Sequence, residues 1–176
     1  IDRVVEASGW REKRGRLPRG RGIGIACSSY MTGAGTAIYW NDMPHSGVVV
    51  RADRSGGVSV LCGATDIGQG SDSILAYLVA EVLGIVPKDI RVHVADTDLT
   101  PVDLGSYSSR VTLMAGNAAI QAAERLRACI FDAVARKLEV EPERLAARDG
   151  RVFVTDDEES GMTFALAGML NEQVSS

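Results

Sequence analysis

Apolar residues recur along this chain with two different periods. Ile74, Leu75, Leu78, Val79, Val82 and Leu83 form one stripe at three- and four-residue spacing, which predicts an amphipathic helix. Ser71 or Asp72 is placed to cap its start and Gly84 to stop it. Leu126, Ile130, Val134 and Leu138 mark the buried face of a longer helix, expected from near Arg110 to about Leu138. Between the helical stretches lie short β-branched runs. Residues 48–52 and 58–62 are joined by Asp53-Arg54-Ser55-Gly56-Gly57, which reads as a hairpin. Residues 90–95 form a strand after Pro87, and residues 151–155 another after the Asp149-Gly150 turn. The Gly-rich apolar run 22–30 is expected to be a strand passing close to another backbone, broken at Gly33 to Gly35. Residues 156–160 read as an exposed acidic loop and residues 164–170 as a closing helix.

Two polar loops interrupt this pattern, residues 63–70 and 96–107. A short repeat also stands out. Leu83-Gly84-Ile85-Val86-Pro87-Lys88-Asp89-Ile90 matches Leu138-Glu139-Val140-Glu141-Pro142-Glu143-Arg144-Leu145, each a helix end followed by a Pro-led turn into a strand. The order of elements implies an α+β fold, with small antiparallel or mixed sheets packed by helices on one face and a possible duplicated unit. At the N-terminus, Ile1, Val4 and Val5 are at helical spacing, read as the tail of a helix continuing a longer protein. Residues 1–20 are therefore assigned to this tail and a basic linker, and residues 21–176 to one domain.

Composition narrows the class. A chain of 176 residues can bury roughly 70% of its unfolded surface, enough for a real core. The formal net charge of -4 argues against non-specific nucleic-acid binding. Arg11, Lys13, Arg14, Arg16, Arg19 and Arg21 crowd the N-terminal region, as a solvated arm or as a contact for an acidic partner. Cys27, Cys62 and Cys129 form no CxxC pair; the first two sit in apolar runs and read as buried thiols in a reducing, cytoplasmic protein. No apolar run approaches the ~20 residues of a membrane span, and no signal peptide is seen.

Candidate chemistry concentrates in the two loops. Gly68-Gln69-Gly70 lies just before a predicted helix, where glycines admit close backbone approach and free N–H groups favour an anion. The same residues also suit a tight turn with a solvent-facing Gln. Gly105-Ser106-Tyr107-Ser108-Ser109-Arg110 sets hydroxyls, a phenol and a guanidinium before the long helix. Phosphate recognition needs such groups. An N-cap made by Ser108 or Ser109, with Arg110 on the surface, is the alternative. Asp66 is placed to orient the first loop through backbone N–H groups. Asp96, Asp98 and Asp103 read as solvated rather than cation-binding. His45 and His93 are isolated, and His93 falls on a polar strand face. No Walker loop, dinucleotide fingerprint or nucleophile elbow is present, and the Gly20-Arg21-Gly22-Ile23-Gly24 run lacks a following helix. The residues alone thus give a candidate anion site, no catalytic centre and no metal site.

Taken in order, Asp66-Ile67-Gly68-Gln69-Gly70, Asp96-Thr97-Asp98-Leu99-Thr100-Pro101 and Gly105-Ser106-Tyr107-Ser108-Ser109-Arg110 resemble the large subunit of molybdenum hydroxylases. That family includes xanthine dehydrogenase, aldehyde oxidoreductase and aerobic carbon monoxide dehydrogenase. The resemblance runs roughly over residues 20–150 and, in residues 22–27 and 105–112, looks closest to 4-hydroxybenzoyl-CoA reductase. It implies molybdopterin, as the cytosine dinucleotide in bacterial members, carrying molybdenum. Gln69, flanked by Gly68 and Gly70, would then lie near the metal's oxo ligand or the pterin. Ser106, Tyr107, Ser108, Ser109 and Arg110 would hold the pyrophosphate side.

The resemblance also implies what other parts of the enzyme supply. The family's upstream GGGFG-type loop and its downstream Gly-Glu motif with the catalytic base do not occur in these residues. Iron–sulfur clusters and FAD would reside on other domains or subunits. The chain is therefore expected to be a piece of a molybdenum subunit, inactive alone, partnered by the rest of that subunit and by iron–sulfur and flavin subunits. A non-catalytic assembly domain, or a phosphate-binding module for another nucleotide or a CoA ester, is the competing reading.

Overall fold

A computed structural model describes residues 1–30 and 45–174. The chain divides into two compact units, Ile1–Met31 and Thr32–Ser176. In the first, helix α1 (Asp2–Ser8) ends at Gly9, whose left-handed φ of 61° lets its N–H reach back to Glu6 O and Val5 O. One further helical turn, α2 (Trp10–Lys13), occupies part of the stretch expected as linker. The Arg14 guanidinium stacks over the Trp10 ring at 4.9 Å, while the basic residues of this run all remain exposed. Residues 22–30, expected as a strand, form neither helix nor strand, and Cys27, expected buried, is exposed. Apolar alternation alone does not make a strand; its backbone groups need a paired neighbour, and none is hydrogen-bonded to it among the described residues. The Gly33 to Gly35 break lies outside the described residues.

The second unit opens with β1 (Val48–Ala52) and β2 (Val58–Cys62), paired antiparallel from Val48↔Cys62 to Ala52↔Val58. Asp53 closes the hairpin: its Oδ1 accepts the N–H of Ser55 at 2.8 Å and of Gly57 at 3.0 Å. Helix α3 (Ser71–Leu83) then carries the chain across to β3 (Ile90–Val94), which pairs with β2 in parallel. A parallel pair requires such a crossover, because a tight turn cannot return the chain to the same end of the sheet. β2 is central, and Val58, Val60 and Cys62 point to a fully buried face, while Ser59 and Leu61 on the other face are half-buried.

After the second polar loop, one π-helical turn (Val111–Ala115) leads into α4 (Gly116–Leu138). α4 packs on α3, β1 and α5. Ile130 and Val134 are buried as expected, but the other five of its seven buried residues are small: Gly116, Ala119, Ala123, Ala133 and Ala135. A Cβ on Gly116 would stand 3.0 Å from Leu78 Cδ1, so the small residues set how closely the two helices approach. Leu126 and Leu138 pack at the margin of the core.

The remaining chain is an antiparallel meander, β4 (Leu145–Arg148), β5 (Arg151–Val154) and β6 (Asp157–Thr163), closed by α5 (Phe164–Val174). Asp149 and Gly150, with φ of 51° and 74°, make the two-residue hairpin turn whose twist matches the flanking strands. The stretch expected as an acidic loop is strand β6. Its polar sequence shows no alternation because the strand is largely exposed and is held by backbone pairing to β5. Both copies of the sequence repeat adopt the same local form: a left-handed helix cap at Gly84 or Glu139, a 3-10 turn at Pro87–Asp89 or Pro142–Arg144, then a strand. The strands join different sheets, one mixed and one antiparallel, so the duplication stops at the helix–turn–strand unit. The fold is thus α+β, and one apolar cluster connects β2, α3, α4, β5 and α5. Among the described residues no helix is long and apolar enough to cross a membrane.

Gly84 is where the two halves of this unit meet. Its carbonyl accepts the Gly150 N–H at 2.8 Å, and a Cβ there would collide with the carbonyl carbon and oxygen of Ala147. Gly84→Ala therefore adds a backbone clash to the ordinary left-handed penalty of ~1–2 kcal/mol. At Gly150 an added methyl would meet nothing within 4 Å, so that position carries the left-handed penalty alone. We expect Gly84→Ala to lower Tm by clearly more than Gly150→Ala, which should cost roughly 2–8 °C. Equal shifts in thermal melts would show that the close approach at Gly84 is not a stability determinant.

Candidate functional site

The two polar loops leave β2 and β3 at their carboxyl ends. Because these strands are parallel neighbours, loops distant in sequence emerge side by side on one sheet edge. Ser106 ties them together: its Oγ donates to Thr65 O at 2.5 Å and accepts the Thr65 N–H at 3.2 Å. Close approach is also enforced at Gly63, where a Cβ would collide with Pro101 O.

The first loop is organised around a carboxylate. Asp66 Oδ1 accepts the N–H of Gly68 at 2.7 Å and of Gly70 at 3.4 Å, and Oδ2 that of Asp72 at 3.3 Å. Asp66 thus performs the capping expected of Ser71 or Asp72; the N-cap position itself is Gly70, in the left-handed region. The Gly68 and Asp72 N–H groups hold the Asp66 carboxyl below its ordinary pKa. Burial, and then the neighbouring Asp66 charge, push the Asp72 carboxyl up. Gln69 braces the same turn. Its Oε1 accepts the Ile67 N–H at 2.6 Å, and its Nε2 donates to Thr65 O at 3.2 Å and Ser71 Oγ at 3.0 Å.

The second loop is held by two aspartates. Asp96 Oδ1 accepts the N–H of Asp98 and Leu99, a local turn. Asp103, expected to be solvated, is instead paired with Arg110 at 2.6 Å, and both side chains are fully buried. Arg110 also donates to Gly105 O at 2.8 Å, to Ser46 Oγ at 2.9 Å and to His45 O. Its four terminal N–H donors are therefore engaged inside the protein. This differs from both sequence expectations for Arg110, a phosphate clamp and a surface residue. Its Nε and Asp103 Oδ2 are buried without a hydrogen bond among the described residues. Removing one member of such a pair typically costs ~3–5 kcal/mol.

Between Gly105 and the helix, the chain makes an unusual turn. Ser108 and Ser109 both take left-handed φ, 48° and 53°, with no glycine to relieve them. Strain of this kind costs of order ~1–3 kcal/mol per residue and clusters at ligand sites. The π-helical turn that follows has no side-chain cap, so neither Ser108 nor Ser109 acts as the expected N-cap. Its first N–H groups remain available to a ligand.

A cavity of about 350 Å³ opens here, lined by Ile67, Gln69, Ser106, Tyr107, Ser108, Ser109, Arg110, Val111 and Thr112. It gathers Gln69 and the whole 106–110 stretch; Gly68 and Gly70 shape the adjoining turn without lining it. Among the described residues no carboxylate lines it. Apolar surface makes up most of its lining, and the hydroxyls and the helix start add donors that an anion could use. Thr112, the second residue of the π-helical turn, lines it without having been singled out from sequence, as does Val111. Asp103, Ser46 and His45 were also missed as partners of Arg110, since nothing local in the sequence pairs them. A larger cavity, about 520 Å³, lies by the Asp53–Gly57 turn and contains Asp53, Lys88, Asp89 and Arg91. Its carboxylates oppose an anion, and none of the loop residues reaches it. Among the described residues no group of three His, Cys, Asp or Glu side chains is arranged to hold a metal ion.

Several known proteins are similar to this chain. The profile of the molybdopterin cofactor-binding domain matches residues 3–175. The 6-hydroxypseudooxynicotine dehydrogenase complex subunit gamma of Paenarthrobacter nicotinovorans is 34% identical over 161 residues, 91% of this chain and 20% of its own length. The putative xanthine dehydrogenase molybdenum-binding subunit of Escherichia coli (strain K12) is 33% identical over 138 residues, 77% of this chain and 18% of its own. Quinoline 2-oxidoreductase from Pseudomonas putida 86 superposes with a TM-score of 0.67 at 30% identity, covering 71% of this chain and 16% of that one. The Cu,Mo-CO dehydrogenase structure gives 0.70 at 29% identity, covering 79% and 18%. The chain thus spans about a fifth of the length of these relatives.

The pKa shifts give a directional test. A depressed carboxyl contributes stability above its unfolded pKa and loses it as pH falls through the lower folded value. Asp66→Asn should therefore lower Tm at pH 7, with the gap to wild type closing only below about pH 3.8. Asp72→Asn should act in the opposite sense at pH 7, because the folded state disfavours the Asp72 charge. A pH-independent Asp66→Asn effect in thermal melts would show that the carboxylate charge does not hold this loop.

Proposed function

The chain belongs to the molybdopterin cofactor-binding domain family, and from that premise we propose that its loop-lined cavity grips the phosphate side of a pterin dinucleotide. One observation carries this reading: a cavity at a helix start, lined by Ser106, Ser108, Ser109 and Thr112 and, among the described residues, by no carboxylate. A helix N-terminus and hydroxyl donors stabilise a phosphate, whereas a lining carboxylate would repel it. Its volume of about 350 Å³ suits one portion of a dinucleotide rather than the whole. The cytosine dinucleotide is the form proposed.

In this reading the parent is a molybdenum hydroxylase-type oxidoreductase. When bound, the cofactor supplies two-electron oxidation or reduction at a substrate carbon. This chain's residues bind and orient. Ser108, Ser109 and Thr112 offer hydroxyls, the first helical turn offers N–H groups, and Ile67 and Val111 form an apolar wall. Gln69, proposed to lie near the metal's oxo ligand or the pterin, borders the same cavity, and a cofactor contact would exchange one of its present bonds to Thr65 or Ser71. The catalytic base, the iron–sulfur clusters and the FAD are assigned to other parts of a cytoplasmic complex, and the isolated chain is expected to be inactive. The relatives act on nicotine-derived, purine and other small substrates by name. Likeness of residues 22–27 and 105–112 to 4-hydroxybenzoyl-CoA reductase makes reductive removal of a phenolic hydroxyl the substrate-level alternative.

Charge-assisted hydrogen bonds contribute ~1.5–3 kcal/mol each, roughly ten- to a hundredfold in affinity. In the intact parent, Ser109→Ala and Thr112→Val should therefore lower molybdenum and pterin content per protomer, with activity per bound molybdenum nearly constant. Gln69→Ala should instead lower activity per molybdenum. Unchanged content in both hydroxyl variants, by metal analysis and pterin fluorescence, would refute the phosphate-side assignment. Dye-linked oxidation of xanthine or aldehydes by the purified chain alone would refute its expected inactivity.

A further inference from the structure

We propose that Asp103 and the Arg110 guanidinium are positioning groups for this cavity, setting its backbone geometry while the four terminal guanidinium N–H donors stay on protein acceptors. The proposal rests on the phosphate-side reading above. Arg110 joins stretches that are remote in sequence: Asp103 and Gly105 in the second loop, and His45 and Ser46 ahead of β1. Its bond to the Gly105 carbonyl at 2.8 Å closes residues 106–109 into an arc whose two ends are fixed by one side chain. Within that arc Ser108 and Ser109 hold left-handed φ that serine does not prefer. Such a turn persists only when its surroundings over-determine it. The guanidinium supplies that restraint. Planar and charged, it serves four acceptors at once, a geometry that an ammonium cannot reproduce. The Ser46↔Asp103 backbone bridge ties the same point to the sheet.

This arrangement makes a prediction of unusual sign. Asp103 is an anion beside a site for anions. If Arg110 bound phosphate directly, Asp103→Asn would free the guanidinium and leave cofactor retention unchanged or improved. If the pair positions the arc, Asp103→Asn loses cofactor.

The experiment uses the intact parent enzyme, measuring molybdenum and pterin per protomer alongside the melting temperature. We expect Asp103→Asn, Arg110→Met and Arg110→Lys each to lower content by about tenfold, the scale of one lost charge-assisted hydrogen bond. Ser46→Ala, which lies outside the cavity and removes a single acceptor, should lower it by about twofold to fivefold; it keeps the test decisive if the ion-pair variants do not fold. Gly84→Ala serves as a destabilised control that should retain cofactor. Normal content in both Asp103→Asn and Ser46→Ala would overturn the proposal, as would Gly84→Ala losing cofactor in proportion to its loss of melting temperature. Normal content in those two with loss in Ser109→Ala and Thr112→Val would leave the phosphate-side reading standing. Normal content in all four would remove that reading and the proposal with it.

Discussion

Parallel pairing of β2 with β3 is the constraint on which the rest of the site depends. A parallel neighbour can be reached only by a crossover, here α3, so both strands end at the same edge of the sheet. Each strand then releases a polar loop at that edge, and each loop runs into a helix start. The candidate site follows from this topology before any side chain is considered. Antiparallel pairing would have put the loops at opposite ends, with no shared cavity.

Given that placement, the chemistry divides between groups that hold the loops and groups left for a ligand. Asp66, Gln69, Ser106, Asp96, Asp103 and Arg110 hold the loops through hydrogen bonds within the protein. Ser109, Thr112 and the first helical N–H groups line the cavity at the start of the long helix. A cradle for a charged ligand benefits from this division, since donors already fixed in place need no reorganisation when the ligand arrives. The buried Asp103–Arg110 pair is not itself a source of net stability, because desolvation offsets much of its Coulomb attraction. What it provides is a fixed geometry across three stretches of chain.

The matched profile covers residues 3–175, while the chain covers only about a fifth of relatives such as the E. coli molybdenum-binding subunit. In the proposed reading this domain contributes grip and orientation, and substrate, base and electron path come from the remainder of the parent enzyme. The left-handed Ser108 and Ser109 and the π-helical turn border the same cavity, which no carboxylate lines among the described residues.

The sequence by itself determined the elements whose signals are local. The stripe of Ile74 to Leu83, the β1–β2 hairpin, the Gly84 cap and the Asp149-Gly150 turn were legible because each depends on side-chain period or on φ freedom within a few residues. The two loops were legible as candidate ligand loops for the same reason. Strand β6 was not, because an exposed strand held by backbone pairing leaves no apolar alternation, and residues 22–30 showed the alternation without the pairing. The role of Arg110 was equally out of reach. A guanidinium before a helix looks alike whether it faces a ligand or the interior; only the tertiary structure, by bringing Asp103, His45 and Ser46 around it, decided that its charge is consumed within the protein.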